Sequence, residues 1–342
     1  MFSNAGMKAL IARLRPGLSC SLIRPVGPHR QIGPRALATA AWLHKVCGMP
    51  LAKICAHFAR LGLAVTPGAL AQGMDRLAAK SALTYEALKA ELAAQAVLSP
   101  DETGWRVAGL SAWLWAFAAS TITVYAICEG RSFDDATAVL PADFAGTLCR
   151  DGWAPYRKFT DAVHQSCLAH WLRRTHDLGR SNPPSARAIP AALSDILHDA
   201  LTTRALRDAG VLDGSSLAEA VTELEARIDK LLAKRPTHPA NRRLLKHLRN
   251  ERPAMLTFLA APAVDATNWR SEQAVCPAVA NRKVCGGNRT WKAANTQQIL
   301  MTFFRTAYQQ GTDAIALLAD LLRSPTPTIA PLAMPHTGNP GP

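Results

Sequence analysis

Hydrophobic periodicity divides the chain into helical and strand-like stretches. From Pro34 the apolar positions recur at helical spacing through ALATAAWLHKVCGMP, LAKICAHFARLG and, after a break at LAVT, PGALAQGMDRLAAK. SALTYEALKAELAAQ reads as a further helix. Thr66 stands as an N-cap with Pro67 at the first helical position, and a tight turn containing Gly62 joins the second segment to the third. Residues 33–95 therefore read as a helix-turn-helix-like region that offers Gln72 and Arg76 to DNA, with an ordinary helical hairpin as the alternative. At Ala96 the period changes. AVLSPDETGWRV is a short strand running into a turn, with Asp101 at its end; LSAWLWAFAAS and TITVYAICEG are two more strands. RSFDDATAVLPADF reads as a helix, GTLCRDGW as a strand with Asp151 at its C-terminal end, VHQSC as a strand and LAHWLRRTHDLGR as a helix. This order over 96–179 predicts an α/β fold with a mixed sheet. Residues 180–262 carry no strand pattern and read as an all-α insertion. Over 263–323 the chain returns to the sheet, with Glu272 starting the returning helix. The basic, Pro/Gly-punctuated stretch 1–32 is expected to be an arm or remnant, and the Pro-rich stretch 324–342 a disordered tail.

Composition narrows the class. Hydrophobic residues make up 49% of the chain, enough for a folded protein, and the net charge of +14 calls for a polyanionic partner, nucleic acid first. The excess is localised: residues 1–40 carry six Lys/Arg and no acid, and 227–252 carry nine against Asp229 and Glu251. The eight cysteines show no CxxC pair, which indicates neither a zinc ribbon nor a disulfide scaffold and suits reduced residues in the cytoplasm. Neither a secretory signal nor a membrane span is expected, since the apolar run 111–127 alternates as paired strands do. His164, Cys167, His170 and His176 lie close together without a standard zinc spacing; His170 with Arg173 and Arg174 facing phosphate is the preferred reading.

The stretch 267–290, TNWRSEQAVCPAVANRKVCGGNRT, sets one carboxylate, Glu272, in a basic and amide-rich surrounding. Taken singly, Asp101 and Asp151 read as turn residues before glycines and Glu272 as a capping acid. Taken together, two Asp from neighbouring strands and a Glu from a helix beside them suit a pair of divalent cations, Asp101 bridging both and Asp151 and Glu272 holding one each. Arg270, Arg282, Lys283 and Arg289 either clamp a DNA backbone or are solvated charge. Trp153 and Trp269 either stack on an unpaired base or pack in the core. Gly286-Gly287 allows close approach to a ligand, or is a turn.

DETGWRV, then RDGWAPYRKF followed by HQSCLAHWLRR, then TNWRSEQAVCPAVANRKVCGGNRT closely resemble the three signature blocks of the insertion-sequence-66 family of DDE transposases. The resemblance runs over residues 32–322. It implies an RNase H-like catalytic core with Asp101, Asp151 and Glu272 as the triad, two Mg2+ ions with Mn2+ able to replace them, and a helical insertion between the second Asp and the Glu. The implied partners are DNA at the element ends and target, further copies of the chain on that DNA, and accessory element-encoded proteins, in the cytoplasm at the nucleoid. The family tends to carry paired cysteines upstream, an Asn at the position of Trp269, a basic residue at Cys276 and an aromatic at Cys285. The expected activity is cleavage of element ends and transfer of the 3′-hydroxyl strand. The rivals are a truncated or inactive copy that only binds DNA, and a structure-specific nuclease of the same fold.

Overall fold

The computed structural model describes residues 32–333. Helices α1 (Pro34–Lys45), α2 (Leu51–Arg60) and α3 (Pro67–Glu91) come first. The Thr66 hydroxyl accepts from the Ala69 N–H at 3.1 Å, fixing the start of α3 where the sequence places it. Two helices were expected across Lys80–Ser81, but α3 runs through as one. Ser81 is fully buried, so a polar position that reads as a break faces the interior. Leu70, Met74, Leu77 and Leu88 of α3 join the same core as Trp115 and Phe117 of the sheet. Gln72 and Arg76 remain on the exposed face.

The sheet follows: β1 (Val97–Val107), β2 (Leu110–Ala118), β3 (Thr123–Cys128), the short α4 (Phe133–Thr137), β4 (Thr147–Arg150), β5 (Val163–Ser166) and α5 (Leu168–Ser181). Its order is β3-β2-β1-β4-β5, with β1, β2 and β3 antiparallel and β4 and β5 parallel to β1. The mixed α/β character is as expected, with two corrections. Asp101 does not end its strand. β1 continues through DETG to Val107, pairing Asp101 with Ala116 and Gly104 with Trp113, and turns only at Ala108 and Gly109, both at positive φ. The helix expected over RSFDDATAVLPADF shrinks to five residues, opened by a Ser132–Asp135 capping box.

Helices α6 (Ala188–Asp208), α7 (Gly214–Leu232), α8 (Pro239–Glu251) and the short α9 (Thr257–Ala260) fill the stretch between β5 with its helix and the return to the sheet. Leu193, Leu197, Ile228, Leu244 and Leu248 make a second core that also takes in Cys149 of β4 and Trp171 of α5. Part of the local basic excess is spent internally, on Arg227–Asp199 at 2.7 Å and Arg252–Asp229 at 2.8 Å, while Lys230, Lys234, Arg235, Arg243 and Lys246 are exposed.

The chain returns in α10 (Trp269–Cys285), α11 (Trp291–Gln309) and α12 (Ala314–Arg323). Ala274 and Ala278 of α10 pack on Trp105, Leu114 and Ala116 of the sheet, small residues letting helix and strands approach closely. Edge strand β3 keeps no free donor toward α11. Its N–H groups at Thr123, Tyr125 and Ile127 donate to Thr306, Thr302 and Gln298, side chains spaced four apart along one helix face. Within the stretch expected to be a tail, Ala330 and Leu332 are buried and the Ala330 N–H donates to the Thr84 hydroxyl at 2.9 Å, while 325–329 are exposed. The basic arm, Ile32 apart, and residues 334–342 lie outside the described residues. Among the described residues no helix is long and apolar enough to cross a membrane.

Candidate active site

Three separate elements bring the carboxylates to one region. Asp101 sits mid-β1, beyond the two positions, Val97 and Leu98, at which β1 pairs with β4. Its Oδ1 accepts the Glu102 N–H at 2.9 Å. Asp151 is the first residue past β4, and its Oδ1 accepts the Trp153 N–H at 2.8 Å. Glu272 lies in the first turn of α10, where the helix N-terminus favours an acid, with Oε1 3.8 Å from His170 Nε2. Burial pushes the Asp101 carboxyl up to about 7, and repulsion from Glu102, Asp151 and Glu272 adds to it. Asp101 thus feels both other members of the set. The coupling is electrostatic: among the described residues the ligand atoms that come within 4.8 Å of one another are those of Cys167, His170 and Glu272, not those of the three carboxylates, although carboxylate oxygens are the donors a hard divalent cation takes.

A fourth acid, Glu102, was not singled out in the sequence. It points to the other side of β1, is buried, and is bonded by Arg131 Nε at 2.6 Å and by the Tyr156 hydroxyl. Burial raises its carboxyl; Tyr156 and Arg131 work against that. Arg131 lies 3.8 Å from the centre of the Trp153 ring, so that ring face is covered. Trp269 is 40% exposed, with Arg270 4.8 Å from its ring centre.

The insertion reaches the site through a buried ion pair. Arg150, 2% exposed, donates Nη1 to Glu251 of α8 at 2.7 Å and to the Asp151 carbonyl at 3.0 Å, and its Nε to His164 Nδ1 at 3.0 Å. Arg157 meets the other Glu251 oxygen at 2.7 Å. Burial works to raise Glu251, but the two guanidinium groups outweigh it and hold the carboxyl below its usual range. Nearby, Asp151, Trp153, His170, Arg174 and His247 line a cavity of about 310 Å³.

The basic residues divide by what they touch. Arg282 donates to the Gly104 carbonyl and, at 3.4 Å, to the Thr103 hydroxyl, tying α10 to β1. Arg270 pairs with Asp265 at 3.1 Å and Arg174 with His247. Arg173, Lys283 and Arg289 are exposed. His170 faces Glu272 rather than the two arginines. His164 belongs to the Arg150 network and His176 stands out in solvent beside Asp177, so the four-residue His/Cys group does not assemble. Gly286 and Gly287 serve a turn: Gly286, at φ 82°, ends α10, and Gly287, at φ 99°, brings Asn288 against β1, whose Arg106 carbonyl accepts the Asn288 N–H at 2.9 Å.

A family model described as "Transposase IS66 family" matches residues 29–296. No match is found among curated proteins.

Proposed function

The chain belongs to the transposase IS66 family, and from that premise we propose that it cuts DNA at the ends of an insertion element and joins the freed 3′-hydroxyl to target DNA. Asp101, Asp151 and Glu272 are the metal-holding triad of an RNase H-like core in this reading. The carrying observation is the field at Asp101, whose carboxyl is raised by burial first and by Glu102 next, with Asp151 and Glu272, from elements far apart in sequence, adding to it. The sheet order, with a central β1 flanked by an antiparallel hairpin on one side and parallel strands on the other, supports the same reading.

The three carboxylates would hold two Mg2+ ions, or Mn2+, Asp101 shared and Asp151 and Glu272 taking one each. When bound, such a pair activates the attacking oxygen and neutralises the leaving one. The protein's own residues do the positioning. Arg150 holds the Asp151 carbonyl, and Glu251 fixes Arg150 from the insertion. Glu102, held by Arg131 and Tyr156, anchors the strand that carries Asp101. The exposed Arg173, Lys283, Arg289, Gln72 and Arg76, with the insertion's lysines, would meet DNA phosphates. Water is the first nucleophile and the freed 3′-hydroxyl the second, so no covalent enzyme–DNA intermediate is formed. Further copies of the chain and accessory element-encoded proteins would assemble on the same DNA.

The test is Mg2+-dependent nicking of DNA carrying the element ends. Wild type should nick and yield strand-transfer products, and Asp151→Asn should lose both. Nicking without strand transfer would leave a nuclease of this fold, and no nicking by folded wild type would leave a DNA-binding protein.

A further inference from the structure

We propose a second cation site beside the triad, built from Cys167, His170 and Glu272 and suited to a borderline-soft ion such as Zn2+. One ligand atom from each, the sulfur, an imidazole nitrogen and a carboxylate oxygen, lies within 4.8 Å of the other two. The spacing follows from the fold. Cys167 is the N-cap of α5, His170 lies one helical turn on, and Glu272 sits in the first turn of α10. The two helix starts are held together by the Asn268 N–H, which donates to Cys167 Sγ at 3.4 Å, and by the Leu168 N–H, which donates to the Ala266 carbonyl at 2.9 Å.

Thiolate, imidazole and carboxylate are the donors that zinc accepts, and three protein ligands with water in the fourth position describe an open zinc site. Zinc–ligand bonds of roughly 2.0–2.3 Å at tetrahedral angles put neighbouring donor atoms about 3.3–3.7 Å apart. His170 Nε2 and Glu272 Oε1 stand at 3.8 Å, so they are already near that separation. Both side chains are partly open, at 38% and 41%, giving an ion and its water a path from solvent, while Cys167 is buried behind them. A further observation stands beside it: Asn268, whose N–H meets the Cys167 sulfur, is 1% exposed and keeps both atoms of its side-chain amide unpaired. Burial raises the Cys167 thiol above its usual range, and the N–H groups of Asn268, His170 and Ala169 that aim at the sulfur work against that. On binding, the thiol proton leaves to solvent as the metal–sulfur bond forms.

Binding at this site does not depend on the proposed nuclease reading; its effect on activity does. Glu272 cannot serve both sites, so an ion held by Cys167 and His170 draws it from Asp101 and Asp151, and zinc opposes the magnesium-dependent reaction. The experiment titrates the purified, magnesium-free full chain with Co2+ and reads the thiolate-to-cobalt charge-transfer band, which needs no catalysis. We expect a band that saturates at one Co2+ per chain and is displaced by Zn2+. It should vanish in Cys167→Ser, weaken by at least about tenfold in affinity in His170→Ala and Glu272→Gln, and persist in Asp101→Asn. Far-UV circular dichroism confirms that each variant is folded. No band in folded wild type, a band kept by Cys167→Ser, or a band lost with Asp101→Asn would each overturn the site.

Discussion

Replacing Asp101 by Asn should make the metal-free protein more stable while abolishing its nicking. Asn keeps the oxygen that accepts the Glu102 N–H, so the change removes charge and little else. Raising a carboxyl from 3.8 to about 7 means that its ionised form costs the folded state about 4 kcal/mol at most, at roughly 1.4 kcal/mol per tenfold. Solvent screening and relaxation bring the working figure to about 2–4 kcal/mol. The sign follows from proton counts. Between pH 3.8 and about 7 the folded chain binds more protons at this site than the unfolded one, so stability falls as pH rises through that window. The penalty is absent below it and complete above it. At about 2 °C per kcal/mol for a large domain, Asp101→Asn should melt about 4–8 °C above wild type at pH 8, the gap closing as pH falls toward 4. Mg2+ should raise the wild-type melting temperature and leave the variant nearly unmoved, since a cation that binds only the folded site stabilises it in proportion to its occupancy. Scanning calorimetry at a series of pH values, with and without Mg2+, measures all of this. A variant that melts below wild type, or a gap independent of pH, would refute the argument that Asp101 is crowded by like charge.

Glu251→Gln strands Arg150 beside a neutral partner and should cost about 3–5 kcal/mol in urea unfolding, whereas Arg150→Met with Glu251→Met should recover most of it; a single-variant loss below about 1 kcal/mol would count against a buried pair. Gly287→Ala would place a Cβ 2.5 Å from the Arg106 carbonyl at φ 99° and should cost more than about 2 kcal/mol by thermal unfolding, while Gly286→Ala, with open space around it, should cost about 1 kcal/mol. Lys45 is buried and its ammonium is pushed down to about 8, chiefly by desolvation. The unfolded chain therefore holds that proton longer, so this residue should add up to about 3 kcal/mol of stability as pH rises from about 8 to 10.5, a rise that Lys45→Met should flatten in chemical denaturation.

The sequence carried the element order of the sheet, the Thr66 cap and the helix that brings in Glu272, because each has a local signal in periodicity or capping chemistry. It hid what is decided across long separations. DETG reads as a turn because Asp, Glu and Gly are poor strand formers, yet it continues as strand because β2 offers Leu114, Trp115 and Ala116 as partners. Ser81 looks like an interruption of a helix until its neighbours bury it. Glu251 is one acid in a basic run, and no spacing relates it to Arg150, 101 residues earlier in the chain. Arg282 sits among cations that suggest a phosphate, yet its guanidinium is turned to the β1 backbone. Cys167 and His170 lacked a zinc spacing because the third donor beside them comes from Glu272, over a hundred residues away.

The three polar side chains that α11 sets against β3 bear on how copies of this protein can meet. A bare sheet border invites a second chain to continue the sheet, and here that border is already answered by Gln298, Thr302 and Thr306. Two copies cannot join by extending their sheets through β3. Any pairing of copies must then use other surfaces, leaving β3 and the core behind it undisturbed when the assembly forms or comes apart.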